Sequence, residues 1–443
     1  MDKNGELSFV NDQINKIKNN ENKYTMGSIT YIQNYIIHVT GLDDAFFFEK
    51  VVIGNDSIGY VTKIEATHCV IAIIKKNSDI SIGDVVRRTN EPFLGLYSNE
   101  AIGRVIDIFG VDRLTDKKFK DTIKLNIETS NIPIVDRGKV SRPLLTGITG
   151  IDLIYPIGKG QRQLIIGDKK TGKTQICIDT IINQKDKGVI CIYNAIGKTK
   201  KEVKQIYYEL LKRGTLKYTI IIAAFYEDAP TVLTLTPYFA LSVAQLYMSN
   251  KYDVLVVIDD LKKHADAYRE IGLMSSKTPG RDAYPADIFY FHSRLLEKGC
   301  QHKNGGSISI LPIMETKSGD ITDYISTNII SITDGQIVLS AKNYDKGEKP
   351  AIDYGLSVSR LGGSVQSSDM KVLGAKVRSK LLTYLETRDI YELANTDEMT
   401  DELRNRLFEG KKIVDSLRQY KYSPITPEMM QEKLNFVKED ING

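Results

Sequence analysis

A chain of 443 residues with 42% hydrophobic and 26% charged side chains has the composition of a globular protein of about three domains, neither disordered nor fibrous. Its formal net charge of +4 is small for this length and gives no electrostatic reason to expect nucleic acid or an anionic membrane as a partner. The four widely spaced cysteines, Cys69, Cys177, Cys191 and Cys300, read as reduced core residues of a cytoplasmic protein rather than a disulfide frame or a zinc site.

In chain order, residues 1–23 are polar with Phe9, Val10, Ile14 and Ile17 at helical spacing, which predicts a short amphipathic arm. From 24 to 90, short β-rich runs such as GSITYIQNYIIHVTG and HCVIAIIKKNSDISIGDVVRRT are broken by Gly, Asn and Asp. This texture predicts a small β-barrel. Between 91 and 366, the apolar runs QRQLIIG, GVICIYNAIG, YTIIIAAF, DVLVVIDD and SISILPIM alternate with helical patterns, the signature of a parallel α/β sheet. One crossover helix is well marked. Thr199 and Glu202 form a capping box, Val203, Ile206, Tyr207, Leu210 and Leu211 form its expected apolar face, and Gly214 follows it. From 367 to 443 only helical patterns with charged faces remain. No apolar run reaches the ~18–20 residues of a membrane span, and the first residues lack the apolar core of a signal peptide.

The stretch GDKKTGKT, comprising Gly167, Asp168, Lys169, Lys170, Thr171, Gly172, Lys173 and Thr174, lies between a predicted strand and a predicted helix. An ordinary glycine turn would not need that context. In a phosphate loop, backbone N–H groups and the helix N-terminus cradle phosphates, Lys173 neutralises the outer ones, and Thr174 is placed to ligate Mg2+. Gln175 opens the helix beside them. The run VLVVIDD ends in Asp259, where a water-mediated magnesium ligand belongs; Asp260 reads as the cap of the next helix. Hydrolysis would also need a carboxylate or Gln near a neighbouring strand end to polarise water. GVICIYNAIGK delivers Lys198 there instead, and an ammonium is no base. These residues point to a site that holds ATP or ADP without turning it over.

RPLLTGITGIDLIYPIGKGQRQLIIGDKKTGKTQICIDTIINQ, PGRDAYPADIFYFHSRLLEKG, SISILPIMETKSGDITDYISTNIISITDGQIVLS and PAIDYGLSVSRLGG resemble the alpha subunits of F-type ATP synthases, from about residue 27 to about 425. The resemblance implies a β-barrel, a central RecA-like nucleotide domain and a helical C-terminal domain. It also implies an alternating ring with a catalytic beta-like subunit around a gamma-like shaft, held by a peripheral stalk or its substitute, on the inner face of the cell membrane without direct insertion. Carried over, it makes Lys173, Thr174 and Asp259 ligands of MgATP, Arg360 in SVSR an arginine finger for the neighbouring catalytic site, and Ser331 a residue bordering that site. Tyr344, Pro350 and Gln419 match the family's adenine pocket. Lys349 stands where an arginine is usual, Lys421 where a glutamine is usual, and Lys198 where alpha subunits carry Gln. The family continues through further helices beyond the position of Gly443, so the resemblance implies a shortened C-terminal domain. The corresponding expectation is a diverged F-type-like ATPase of a small-genome, wall-less bacterium, coupled to a motility or transport machine.

Two rivals share parts of this pattern. A homohexameric export ATPase has the same fold and about this length, but needs a carboxylate where Lys198 stands. A ring-shaped RNA translocase would need aromatics interleaved with a basic surplus in the barrel, which the sequence lacks.

Overall fold

The computed structural model describes residues 26–275, 277–391 and 401–439; the arm expected over residues 1–23 lies outside them. The first six strands, β1 (Met26–Gln33), β2 (Ile36–Thr40), β3 (Glu49–Ile53), β4 (Ser57–Ile64), β5 (Cys69–Lys75) and β6 (Val85–Pro92), close a barrel in the order β1-β2-β5-β4-β3-β6. Closure comes from β1 pairing with β6, Gly27 opposite Val86, and it removes the exposed edges that an open sheet would present. Alternate residues point inward, so Ile37, Val39, Val51, Ile53, Val61, Ile71 and Val86 fill the interior.

The central domain is organised on six parallel strands. They are β7 (Leu164–Gly167), β8 (Val189–Lys198), β9 (Thr219–Phe225), β10 (Asp253–Asp259), β11 (Ser307–Glu315) and β12 (Gly335–Leu339). Pairing runs β9-β8-β10-β11-β7-β12, parallel throughout. Strands covered by helices on both faces must be apolar on both; every residue of β9 is buried, as is all of β10 but Asp253. The five apolar runs read from the sequence are all in this sheet. β12, from TDGQIVLS, was not among them, and it packs against the phosphate-loop strand.

The crossovers are α1 (Lys173–Ile182), α2 (Lys200–Lys212), α3 (Pro230–Ser249), α4 (Leu261–Met274), α5 (Ile288–Leu296) and α6 (Tyr324–Ile332). The capping box of α2 is present in both directions: Thr199 Oγ1 accepts from Glu202 N, and Glu202 Oε2 accepts from Thr199 N. Val203, Ile206 and Leu210 are buried, but Leu211 is 49% exposed. It lies about 100° round the helix from Leu210, and so falls outside the apolar face assigned to it. Barrel and sheet are tied at the start of α3, where Thr231 Oγ1 donates to the Ile73 carbonyl at 2.6 Å. All four cysteines are free and buried.

After the sheet come α7 (Ala341–Asp345), α8 (Ser368–Tyr391), α9 (Asp401–Leu417) and α10 (Pro427–Lys433). Met370, Leu373, Val377 and Leu381 of α8, at helical spacing, share a core with Ile413 and Leu417 of α9. Among the described residues no helix is long and apolar enough to cross a membrane.

Candidate nucleotide site

The C-terminal ends of β7, β8, β10 and β11 converge, the place where open α/β sheets bind ligands. β7 ends at Gly167, and the loop 168–172 leads into α1. Gly172 caps that helix with φ 104°, a left-handed conformation that a side chain would strain. The loop is braced from within and from its neighbour. Thr171 Oγ1 donates to the Asp168 carbonyl at 2.8 Å, and Asp168 Oδ1 accepts from Thr316 Oγ1 at 2.7 Å and Gly319 N at 2.8 Å. Asp168 is therefore an anchor of the loop. Lys169 and Lys170 are exposed.

Lys173 is buried, and its Nζ donates to the carbonyls of Gly167 at 2.9 Å and Asp168 at 2.5 Å. Burial pulls its pKa down, opposed by the charges of Glu315, Asp260, Asp259 and Asp168. Glu315, the last residue of β11 and the register partner of Gly167, was missed in the sequence because ILPIME reads as an ordinary strand end. Asp260 caps α4 as expected, its Oδ1 accepting from Lys263 N at 2.8 Å. Its carboxyl is pushed up to about 6 by burial, then by Asp259.

Asp259 is the hub. Its Oδ2 accepts from Thr174 Oγ1 at 2.8 Å and from the Tyr193 hydroxyl at 2.5 Å; its Oδ1 faces Lys198 Nζ at 3.0 Å. The Lys198 contact depends on an irregularity in β8. Ile196 pairs with Ala224 and Lys198 with Phe225, so Gly197, at φ 63°, is an extra residue. Such a bulge shifts the side-chain alternation by one and puts Lys198 on the face that carries Tyr193. Burial alone would lower the pKa of Lys198, but Asp259 and Asp260 outweigh it and the net shift is upward. The group stays an ammonium.

Beside the loop lies a cavity of about 430 Å³, within the usual size of a small-ligand pocket. It brings together Tyr344, Pro350 and Gln419 with Lys170, Thr171, Gly172 and Gln175, and also Lys349 and Lys421. Lys349 Nζ stands 5.3 Å from the centre of the Tyr344 ring, a cation–π contact. Gln419 lines the cavity with its amide already engaged. Its oxygen accepts from Thr149 N and Oγ1, both at 3.2 Å, and its nitrogen donates to the carbonyls of Gly147 at 2.7 Å and Ser423 at 2.8 Å. With two acceptor and two donor positions filled, this side chain builds the wall. Asp179 was not anticipated. It accepts from Gln175 Nε2 and Tyr422 N, and burial raises its carboxyl to about 6.

Arg360 and Ser331 lie elsewhere. Arg360 follows the two-residue strand Val358–Ser359, in which Ser359 pairs with Gly335 at the start of β12, whereas Gly167 pairs with Leu339 at its end. The length of β12, roughly 13 Å at the usual rise, separates Arg360 from the phosphate loop. The Arg360 guanidinium is exposed and reaches the Ile330 carbonyl at 3.4 Å, next to Ser331, whose hydroxyl donates to Asn328 O at 2.7 Å. The two side chains share one surface, at the other end of the sheet from their own chain's loop.

A parallel sheet with a phosphate loop, a strand-end aspartate bound to the loop threonine, and a cavity beside them define a P-loop nucleotide-binding protein. Residues 147–359 match the nucleotide-binding domain of the ATP synthase alpha/beta family. The chain is 39% identical over 424 residues to an ATP synthase subunit alpha of Clostridium botulinum, covering 95% of this chain and 84% of that one. It is 38% identical over 434 residues to an ATP synthase subunit alpha of Ehrlichia ruminantium, covering 95% and 85%. The chain belongs to the F-type ATP synthase alpha subunit family.

Proposed function

We propose that this chain is the non-catalytic subunit of an F-type ATPase ring: it holds ATP or ADP at its own phosphate loop and lends Arg360 to the active site of a neighbouring catalytic subunit. The observation that carries the first half is the 3.0 Å ion pair between Lys198 and Asp259. A cation fixed at the strand end where hydrolysis needs a base can attract phosphate but cannot take a proton from water. Supporting the second half is the distance between Arg360 and its own loop, which leaves a phosphate bound to another chain as the group it can serve. A guanidinium aimed from outside at charge developing on a transferred phosphoryl group is worth several orders of magnitude in rate.

On this reading the partners are a catalytic beta-like subunit, alternating with this chain, a gamma-like shaft and a peripheral stalk, with the complex held at the membrane by other subunits. The hydroxyl of Thr174 and the carboxylate of Asp259 are oxygen donors of the kind that suit Mg2+, directly and through water, but here they bond each other and Lys198 faces the same carboxylate. A second reading, a self-sufficient hydrolase of the export type, draws on Glu315, a carboxylate at the end of the strand next to the loop. Multiple-turnover ATPase assays on the purified full chain separate the two. Nucleotide binding with negligible turnover is expected; sustained turnover that Glu315→Gln abolishes would replace our reading with the second.

A further inference from the structure

Magnesium in a phosphate-loop site brings positive charge to the outer phosphates and is held through water by a strand-end carboxylate. Here that carboxylate is already satisfied. Asp259 is almost wholly buried, and three hydrogen-bonding groups close on its two oxygens: Thr174 and Tyr193 on Oδ2, Lys198 on Oδ1. Lys198 is no surface lysine that has drifted in. Its side chain is one-fifth exposed, and the Gly197 bulge sets it on the face that reaches Asp259. A second cation at the same carboxylate would meet the ammonium's repulsion at short range, in surroundings that screen it poorly. The ammonium also keeps donors to spare, since a lysine has three and one faces Oδ1.

We propose that Lys198 is a resident counter-cation of this site: it occupies the metal's place beside Asp259 and helps Lys173 neutralise the phosphates, so that nucleoside triphosphate binds without requiring a divalent metal. The proposal rests on the reading of the loop as a nucleotide site and departs from the expectation of Mg2+ there. Geometry gives the mechanism its specificity. The ammonium is delivered by β8 and the carboxylate by β10, neighbouring strands in which Ala195 pairs with Asp259, so the pair is set by the sheet itself. Gln at position 198 would leave the same space polar but uncharged.

The test is equilibrium binding of ATP to the full chain, followed by calorimetry, once with excess Mg2+ and once with EDTA. For the parent, the dissociation constant should change by less than about threefold on chelation; for Lys198→Gln it should rise by about tenfold or more, a penalty of roughly 1.4 kcal/mol. A parent that loses about tenfold or more on chelation overturns the proposal, as does a variant whose metal dependence equals the parent's. Mn2+ offers a second readout that needs no variant. The parent loaded with ATP and freed of unbound nucleotide, which itself chelates Mn2+, should leave added Mn2+ free in its electron paramagnetic spectrum, and one tightly bound Mn2+ per nucleotide would contradict us. Absence of ATP binding with and without metal would instead overturn the nucleotide reading, and this proposal with it.

Discussion

Arg162 and Asp334 form a two-pronged ion pair, Nη2 to Oδ1 at 2.7 Å and Nε to Oδ2 at 2.9 Å, while the Asp334 carbonyl accepts the backbone amide of Arg360, also at 2.9 Å. One residue thus links the strand that leads to the phosphate loop with the segment that carries Arg360. Bidentate geometry with limited exposure makes such a pair stronger than an open surface one. Asp334→Ala should destabilise the chain by about 1–3 kcal/mol, because Arg162 loses its partner while remaining largely covered. In an assembled ring it should also lower turnover, but less than loss of Arg360 itself, since the arginine would be misplaced and not removed. Thermal melting and steady-state turnover of the same preparation check both parts.

The buried histidine pair makes a pH prediction. His264 Nε2 lies 3.3 Å from the Thr234 carbonyl, which can only accept, so that nitrogen carries the proton; His264 Nδ1 then accepts from His292 Nε2 at 3.2 Å. Burial holds His264 down to about 4, with the Thr234 bond opposing, and His292 is lowered as well, by burial and then by His264. Between pH 4 and 6.5 the unfolded chain therefore binds more protons at His264 than the folded chain does, and stability falls as pH falls through this window. His264→Gln should destabilise at neutral pH, and its deficit relative to the parent should shrink by about 2 kcal/mol between pH 7 and 4.5. Denaturant unfolding at several pH values measures it; a deficit independent of pH would contradict the assignment.

Much of the architecture was legible because its signals are local. β-strands covered on both faces have to be continuous apolar runs, and Ile220–Phe225 and Val254–Ile258 are unmistakable; the capping box at Thr199 and Glu202 marks a helix start by its own chemistry. β12 was overlooked because GQIVL is short and takes its place only by pairing with β7. The site divides in the same way. The loop and Asp259 are written in contiguous letters, whereas the grip of Lys198 on Asp259 depends on a bulge at Gly197, which no alternation pattern announces. Gln419 shows the opposite hazard: the residue type suits a base-binding pocket, yet its amide is consumed by Gly147, Thr149 and Ser423, contacts more than 250 residues away in two of the three cases.

In the role proposed, this chain holds nucleotide on its own loop and acts on another chain's nucleotide through Arg360. Steady-state ATP turnover by the reconstituted ring carrying Arg360→Ala tests it most directly. A fall in kcat of about three to five orders of magnitude is expected, with nucleotide affinity at the catalytic sites little changed, because binding there does not need the guanidinium and the transition state does. Turnover within about tenfold of the parent, or roughly 1.4 kcal/mol of barrier, would contradict it.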